Sequence, residues 1–149
     1  MKKLDLLTGN AINADLGLLL IRLIIGLLMA CYGYQKLIHF QEMATSDFWA
    51  KDVSFLGMHG AFPLALTVFA EFFCSLLLIV GLFTRLSLIP LLICMAYIFL
   101  VVFPGSMVSN GENGVEFNNT FVYFTIYLAL FFTGPGKYSL DHKFLRKRQ

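Results

Sequence analysis

A single carboxylate, Glu71, lies near the middle of the apolar stretch 62–83, FPLALTVFAEFFCSLLLIVGLF. A charged group at the centre of a bilayer costs about 2.5 kcal/mol or more, so we expect it to face protein or water rather than lipid. At helical spacing Thr67 and Ser75 fall on the same stripe as Glu71, with Cys74 beside them. The stripe predicts a polar pocket inside a membrane protein or, as the alternative, a purely structural hydrogen bond between helices.

Two basic residues, Arg22 and Lys36, lie in the first apolar stretch and share a helical face with Gly26 and Gly33. Small residues on such a face let a second helix come close. With a rise of 1.5 Å per residue, Arg22 lies about 10 Å and Glu71 about 20 Å from the same membrane edge. Extended side chains and a bridging water can span that axial difference. The sequence therefore predicts an Arg22–Glu71 pair between the first two helices, which Lys36 can approach from the other edge.

These residues form a candidate intramembrane polar pocket, consisting of Arg22, Lys36, Thr67, Glu71 and Ser75. Four tyrosines of the apolar stretches are candidate ligand-lining residues: Tyr32, Tyr97, Tyr123 and Tyr127. Their rings can pack on a quinone ring, whose oxygens Arg22 or Glu71 can bind. Helix packing and anchoring at the membrane interface are the alternative role for these tyrosines. No cofactor is evident from the sequence, a quinone is compatible with such a pocket, and no catalytic residue is assigned.

Metal ligation and thiol chemistry are not indicated. His39 and His59 occur in one polar segment with three acidic residues, but their spacing fits no known ligand pattern. The cysteines Cys31, Cys74 and Cys94 lie in apolar runs and form no C-x-x-C pair. We therefore expect no metal site, and we expect the cysteines to be dispensable.

The composition is that of an integral membrane protein. Of the 149 residues, 58% are hydrophobic and 13% are charged, and the charged share is about half that of a typical soluble domain. The net charge of +2 gives no indication of nucleic-acid binding. We interpret residues 1–149 as one integral membrane domain, which interacts with the lipid bilayer.

Four apolar stretches predict membrane spans at about 16–37, 62–83, 86–103 and 117–133. The segment between the first two is too polar to span, and its Trp49 suits the membrane interface. The predicted fold is an all-α membrane protein, a four-transmembrane-helix bundle with a short amphipathic segment in the first outer loop.

The basic residues predict the orientation. With four spans, one side of the membrane receives most of them: Lys2, Lys3, Arg85, Lys137, Lys143, Arg146, Lys147 and Arg148. The other side receives only Lys36 and Lys51. The positive-inside rule then places both termini in the cytoplasm of a multi-pass inner-membrane protein.

Several short motifs occur in an order that resembles the DoxX family of small four-helix bacterial membrane proteins. They are R-x3-G at 22–26, Y-G-Y-Q-K at 32–36, the intramembrane Glu71, G-L-F-T-R at 81–85 and G-P-G-K-Y-S-L-D at 134–141. The resemblance extends from about residue 16 to residue 141. The family takes its name from a membrane component linked to thiosulfate:quinone oxidoreductase, and some relatives associate with redox enzymes. The resemblance therefore implies a quinone-linked redox setting.

Three functions are compatible with these features. The first is a membrane subunit or partner of a quinone-linked oxidoreductase, with a partner redox subunit. The second is a non-enzymatic carrier of a small molecule or proton, and the third is a structural docking partner for another membrane protein. An autonomous electron-transfer enzyme is not expected, because the sequence has no Gly-rich dinucleotide loop and no membrane-embedded His pair for haem.

Overall fold

The computed structural model describes residues 13–102, 108–111, 114–117 and 119–146. Four of the basic residues behind the orientation prediction, Lys2, Lys3, Lys147 and Arg148, lie outside these ranges. The same is true of residues 103–107, where the third predicted span ends.

The described chain is mainly helical. Its helices are α1 (Ala14–Ile38), α2 (Phe40–Thr45), α3 (Ala61–Val80), α4 (Thr84–Val102), α5 (Asn119–Thr133) and α6 (Leu140–Arg146). Helix α3 contains a π-helical segment at Phe69–Cys74, which we call the π turn, and α4 ends in a second one at Ile98–Val102. A third π-helical segment, Phe48–Asp52, follows α2.

Two short antiparallel hairpins accompany the helices. Strands β1 (Ser54–Phe55) and β2 (Met58–His59) pair with Ser54 opposite His59. Strands β3 (Val108–Gly111) and β4 (Gly114–Phe117) pair with Val108 opposite Phe117. The first hairpin belongs to the loop between α1 and α3, residues 39–60, which we call the first loop.

Three helices are long and apolar enough to cross a membrane: α1 with 25 residues, α3 with 20 and α4 with 19. Helix α5 is apolar but has only 15 residues. At 1.5 Å per residue it extends about 22 Å, less than the roughly 30 Å of a bilayer's hydrocarbon core. The fold is thus that of an α-helical membrane protein with three full-length candidate spans. The fourth predicted span, at about 117–133, corresponds to α5, which begins at Asn119 because Phe117 lies in β4.

Helices α1 and α3 pack unusually closely at the two glycines that the sequence singled out. A Cβ atom added to Gly33 would lie 2.5 Å from the backbone nitrogen of Phe72 and 2.7 Å from the carbonyl carbon of Glu71. One added to Gly26 would lie 2.7 Å from the Ile79 side chain. The predicted role of Gly26 and Gly33 in close helix approach is confirmed.

Buried apolar side chains form two clusters. The larger joins α1, α3, α4 and α5 and includes Ile25, Met29, Leu78, Leu88, Leu91, Met95, Tyr127 and Leu130. The smaller lies between the first loop and α3 and consists of Trp49, Val53, Leu64 and Val68. The first loop, for which the sequence predicts a short amphipathic segment, packs onto α3 through Trp49 and Val53, whereas its helix α2 buries no residue. Its Trp49 is only 7% exposed because it packs onto the end of the bundle.

We predict that Gly33→Ala destabilises the protein and that Gly17→Ala does not. The added methyl at Gly33 meets helix backbone, which cannot rotate away, and overpacking of this kind costs about 1–3 kcal/mol. Gly17 lies on the same helix with no atom within 4 Å of an added Cβ, so alanine there should be neutral or slightly stabilising. Thermal unfolding in mild detergent measures both variants. Equal shifts in Tm would contradict the close contact at Gly33.

Candidate functional site

The buried carboxylate of Glu71 pairs with Lys36. The ammonium nitrogen of Lys36 lies 2.6 Å from both Oε1 and Oε2 of Glu71 and donates hydrogen bonds to them. The Glu71 side chain is 3% exposed and that of Lys36 is 21% exposed. The predicted need of Glu71 for a cation is thus met, but by the lysine rather than by the arginine.

Local backbone geometry explains this pairing. Glu71 lies on the π turn of α3, directly against Gly33 of α1. Lys36 follows Gly33 by three residues, close to one helical turn, so its side chain can reach the same carboxylate. A π turn places one extra residue in a helical turn and often occurs at functional sites. The close contact at Gly33 and the π turn of α3 together position the ion pair.

The predicted Arg22–Glu71 pair is wrong. Arg22 is 1% exposed, and its Nη1 donates to the carbonyl oxygen of Pro135 at 2.5 Å while Nη2 donates to that of Tyr138 at 3.2 Å. The register of α1 against α3 places Arg22 beside Gly81, ten residues along the chain from Glu71. Ten helical residues correspond to about 15 Å, which is beyond the reach of a direct pair.

Arg22 instead joins three of the sequence motifs into one structural cluster. The segment 134–141 folds back over the turn between α3 and α4, where the Asp141 carboxylate accepts hydrogen bonds from the backbone N–H groups of Phe83 (2.7 Å) and Thr84 (2.8 Å). Asp141 thereby caps the amino end of α4, where a negative charge is favourable. Gly81 is required in this turn, because an added Cβ would lie 2.8 Å from Arg22 Nη1. We call these contacts the Arg22 cluster.

The first turn of α1 is tied to the same segment. Asp15 accepts a hydrogen bond from the backbone N–H of Lys137 at 3.0 Å and forms an ion pair with its ammonium group at 3.2 Å. The beginning of α1, the α3–α4 turn and the chain after α5 therefore meet at one end of the bundle. The Lys36–Glu71 pair lies toward the opposite end.

A cavity of about 680 Å³ adjoins the ion pair. It lies among α1, α3, α4, the start of α5 and the first loop. Six of the candidate site residues line it: Tyr32, Lys36, Thr67, Glu71, Tyr97 and Tyr123. Most of the remaining lining is apolar, so the ion pair forms the polar end of an otherwise apolar cavity.

Three other candidate residues do not line the cavity: Arg22, Ser75 and Tyr127. Ser75 and Tyr127 are fully buried, and Tyr127 belongs to the larger core cluster. The rings of Tyr123 and Tyr127 stack at 6.2 Å between centroids. Tyr127 is therefore a packing residue behind Tyr123, in line with the alternative role stated for the tyrosines.

The first loop contributes a wall of the cavity that sequence reasoning missed. Its lining residues are Met43, Phe48, Trp49, Val53 and Phe55. The hydroxyl of Tyr97 donates to the carbonyl oxygen of Ser54, and the Tyr97 ring meets Phe55 edge-on at 5.6 Å. In the sequence, aromatic residues at these positions are typical of the membrane interface. The short polar stretches between them contain no pattern that predicts the inward fold of the loop.

Neither metal ligation nor disulfide formation is indicated within the described ranges. No group of three or more His, Cys, Asp or Glu side chains in those ranges is placed to hold a metal ion. Cys31, Cys74 and Cys94 are all free thiols, and Cys94 lines the cavity. Lys36 and Glu71 are the charged groups among the residues that line the cavity.

We predict that double-mutant cycles will show coupling of Glu71 with Lys36 but not with Arg22. Lys36→Met and Glu71→Gln should show a coupling energy of about 0.5–3 kcal/mol in the free energy of unfolding, because the groups are in direct contact. Arg22→Met and Glu71→Gln should be additive within about 0.5 kcal/mol. Chemical unfolding in detergent measures both cycles. Strong coupling of Arg22 with Glu71 would contradict the register described here.

Comparison with known proteins agrees with these observations. The family model described as DoxX matches residues 17–104, more than half of the chain. The match includes Arg22, Lys36 and Glu71 and ends before α5. No curated protein and no solved structure matches the chain. On the strength of the family match, the chain belongs to the DoxX family.

Proposed function

We propose that this protein is a membrane subunit or partner of a quinone-linked oxidoreductase system and that its cavity holds the quinone. The observation that carries the proposal is the apolar cavity of about 680 Å³ with one buried ion pair at its polar end. Small-molecule sites typically have volumes of about 300–1,000 Å³, with apolar walls and a few polar groups that orient the ligand.

The polar end suits a ligand with acceptor oxygens. A lysine ammonium has three N–H donors, and two of those of Lys36 are engaged by the Glu71 oxygens. The remaining donor can bind a carbonyl oxygen such as that of a quinone. Tyr32 and Tyr123 supply aromatic rings on the same cavity wall, and offset or edge-on contacts with a flat ring are favourable.

The cavity also borders the region where lipid would lie. Leu66 and Phe69 of α3 and Ile93 of α4 both line the cavity and are exposed on the outside of the bundle. In a membrane, a gap between such side chains opens toward acyl chains. A quinone with an isoprenoid tail, which dissolves in the bilayer, could enter there and leave its tail in lipid.

The proposal includes a partner, because the reduction or oxidation of a quinone needs an electron donor or acceptor. The link of the DoxX family to redox enzymes supports an oxidoreductase in that role. This chain then supplies the site where the quinone binds, and the partner supplies the electrons.

We further propose four membrane crossings with both termini in the cytoplasm of the inner membrane. Helix α5 begins beside the cavity, where Asn119 and Thr120 line it, and ends close to the Arg22 cluster, which supports a fourth crossing despite its length. Arg85, Lys137 and Lys143 lie at the Arg22 end, and the positive-inside rule supports a cytoplasmic location for that end.

A labelling experiment tests this topology. In a variant with Cys31, Cys74 and Cys94 replaced by alanine, Asp47→Cys should react with an impermeant thiol reagent added to intact cells. Lys143→Cys should react only after permeabilisation, because it lies at the opposite end; both side chains are exposed. Reaction of Lys143→Cys in intact cells would exclude the proposed orientation.

Quinone binding can be followed at Trp49, which is the single tryptophan of the chain and lines the cavity. Titration of the detergent-solubilised protein with decylubiquinone should quench its fluorescence saturably. Lys36→Met should weaken the apparent affinity by about tenfold or more, since a hydrogen bond to a charged group contributes about 1.5–3 kcal/mol.

The matched control is Lys51→Met, which removes an exposed lysine that does not line the cavity. Its affinity should stay within about twofold of the original, because it loses only a surface ion pair. The neutral variant Lys36→Met/Glu71→Gln shows whether a loss of binding reflects an unpaired Glu71. Linear quenching that no substitution changes would mean that decylubiquinone only partitions into the micelle, and would refute the proposal.

A proton or solute carrier is the second candidate, favoured by the position of an ionisable pair in the helix bundle. Intramembrane ion pairs often mark ion and substrate pathways. Flux in proteoliposomes that depends on Glu71, without saturable quinone binding, would favour this function. A stable complex with another membrane protein, without either property, would favour a docking role.

A further inference from the structure

A second pocket of about 480 Å³, lined partly by polar and titratable side chains, reaches Lys36 from the side of the first loop. Gln35, His39, Glu42 and Ser46 line it on the last turn of α1, on α2 and just beyond α2. Tyr32, Lys36 and Met43 line both this pocket and the larger cavity. We call the smaller pocket the vestibule.

The two members of the ion pair differ in their access to the vestibule. Lys36 lines it and is 21% exposed, whereas Glu71 is 3% exposed and lines only the larger cavity. The mouth of the vestibule carries His39 and Glu42, which are 58% and 84% exposed. The Nδ1 atom of His39 lies 3.4 Å from Oε2 of Glu42. A series of polar groups therefore leads from solvent to Lys36.

The titratable groups around Lys36 come from every neighbouring element. Tyr32 and His39 lie on or directly after α1, and Glu42 lies on α2. From the cavity side, Glu71 of α3, Cys94 and Tyr97 of α4 and Tyr123 of α5 line the same space.

We propose that the vestibule is the route by which protons pass between water and the Lys36–Glu71 pair, with His39 and Glu42 exchanging protons at its mouth. The inference deepens the proposed function and rests on it for the identity of the ligand. Lipid-soluble ligand would enter past Leu66, Phe69 and Ile93, while protons would enter past His39 and Glu42. The ion pair lies where the two routes meet.

The proton transfer balances as follows at the named atoms. One N–H bond of the Lys36 ammonium breaks and one O–H bond forms on the ligand oxygen. The neutral amine then takes a proton from the His39 imidazolium, which regains one from water. For a quinone, the partner oxidoreductase supplies two electrons, and the transfer through Lys36 and His39 runs twice to supply the two protons that convert the two ring carbonyls into two hydroxyl groups.

The experiment measures hydrogen exchange between water and the Nζ protons of Lys36 by NMR of protein labelled with ¹⁵N-lysine, without ligand. Lys36→Arg identifies the signal. Ser46→Trp should slow the exchange about tenfold, because the indole fills the pocket through which water reaches Lys36. His39→Gln should slow it as well, because it removes the imidazole that exchanges protons at the mouth of the vestibule.

Thr45→Trp is the matched control. Thr45 and Ser46 are adjacent and exposed, and each hydroxyl donates to a carbonyl one turn earlier, but only Ser46 lines the vestibule. Exchange in Thr45→Trp should stay within about twofold of the original, because the water path remains open. If Ser46→Trp does not fold, Gln35→Phe replaces it, with Gln41→Phe as its exposed control outside the vestibule.

Equal exchange rates in a vestibule variant and its control would overturn the proposal. The result is also separable from quinone binding. If decylubiquinone fails to quench Trp49 while vestibule variants slow the exchange, the quinone assignment falls and the proton route to the ion pair stands. If quinone binds but vestibule variants and their controls exchange at the same rate, the proposed function is supported and the proton route is refuted.

Discussion

The structure depends on the neutralisation of one carboxylate inside the helix bundle. Glu71 is almost completely buried, and both its oxygens accept hydrogen bonds from Lys36 at 2.6 Å. Such a pair is favourable only when its geometry compensates for the solvation that both charges lose. That geometry requires α1 and α3 to meet with almost no space between their backbones, which is why Gly33 stands opposite Glu71. The same contact determines the register of the two helices and thus the position of Arg22.

The two cations of α1 serve different purposes, and their chemistry suits each one. The planar guanidinium of Arg22 donates to two backbone carbonyls after α5 and so joins distant parts of the chain. The compact ammonium of Lys36 binds a carboxylate and keeps a donor for another group. The Arg22 cluster holds one end of the bundle together. The other end can then enclose a cavity that the first loop covers with Trp49 and Phe55.

The proposed binding role rests on the surroundings of the ion pair. Arg22 is enclosed by packed side chains, whereas Glu71 lines a space large enough for a small molecule and Lys36 lines a second pocket as well. These spaces are the reason for proposing a ligand that dissolves in lipid and exchanges protons with water, as a quinone does.

The sequence alone determined the class of protein, the three long helices, the family and the need of Glu71 for a cation, because hydrophobicity, glycine spacing and the cost of a buried charge are local properties. It also identified six of the residues that line the cavity.

The sequence could not determine which cation pairs with Glu71. Arg22 binds carbonyl groups 113 and 116 residues away, and no pattern along the chain reports a contact at that separation. The inward fold of the first loop and the exclusion of Ser75 and Tyr127 from the cavity were likewise decided by tertiary packing. Each depends on which surfaces meet and at what register, and side-chain periodicity within one helix contains no information on either.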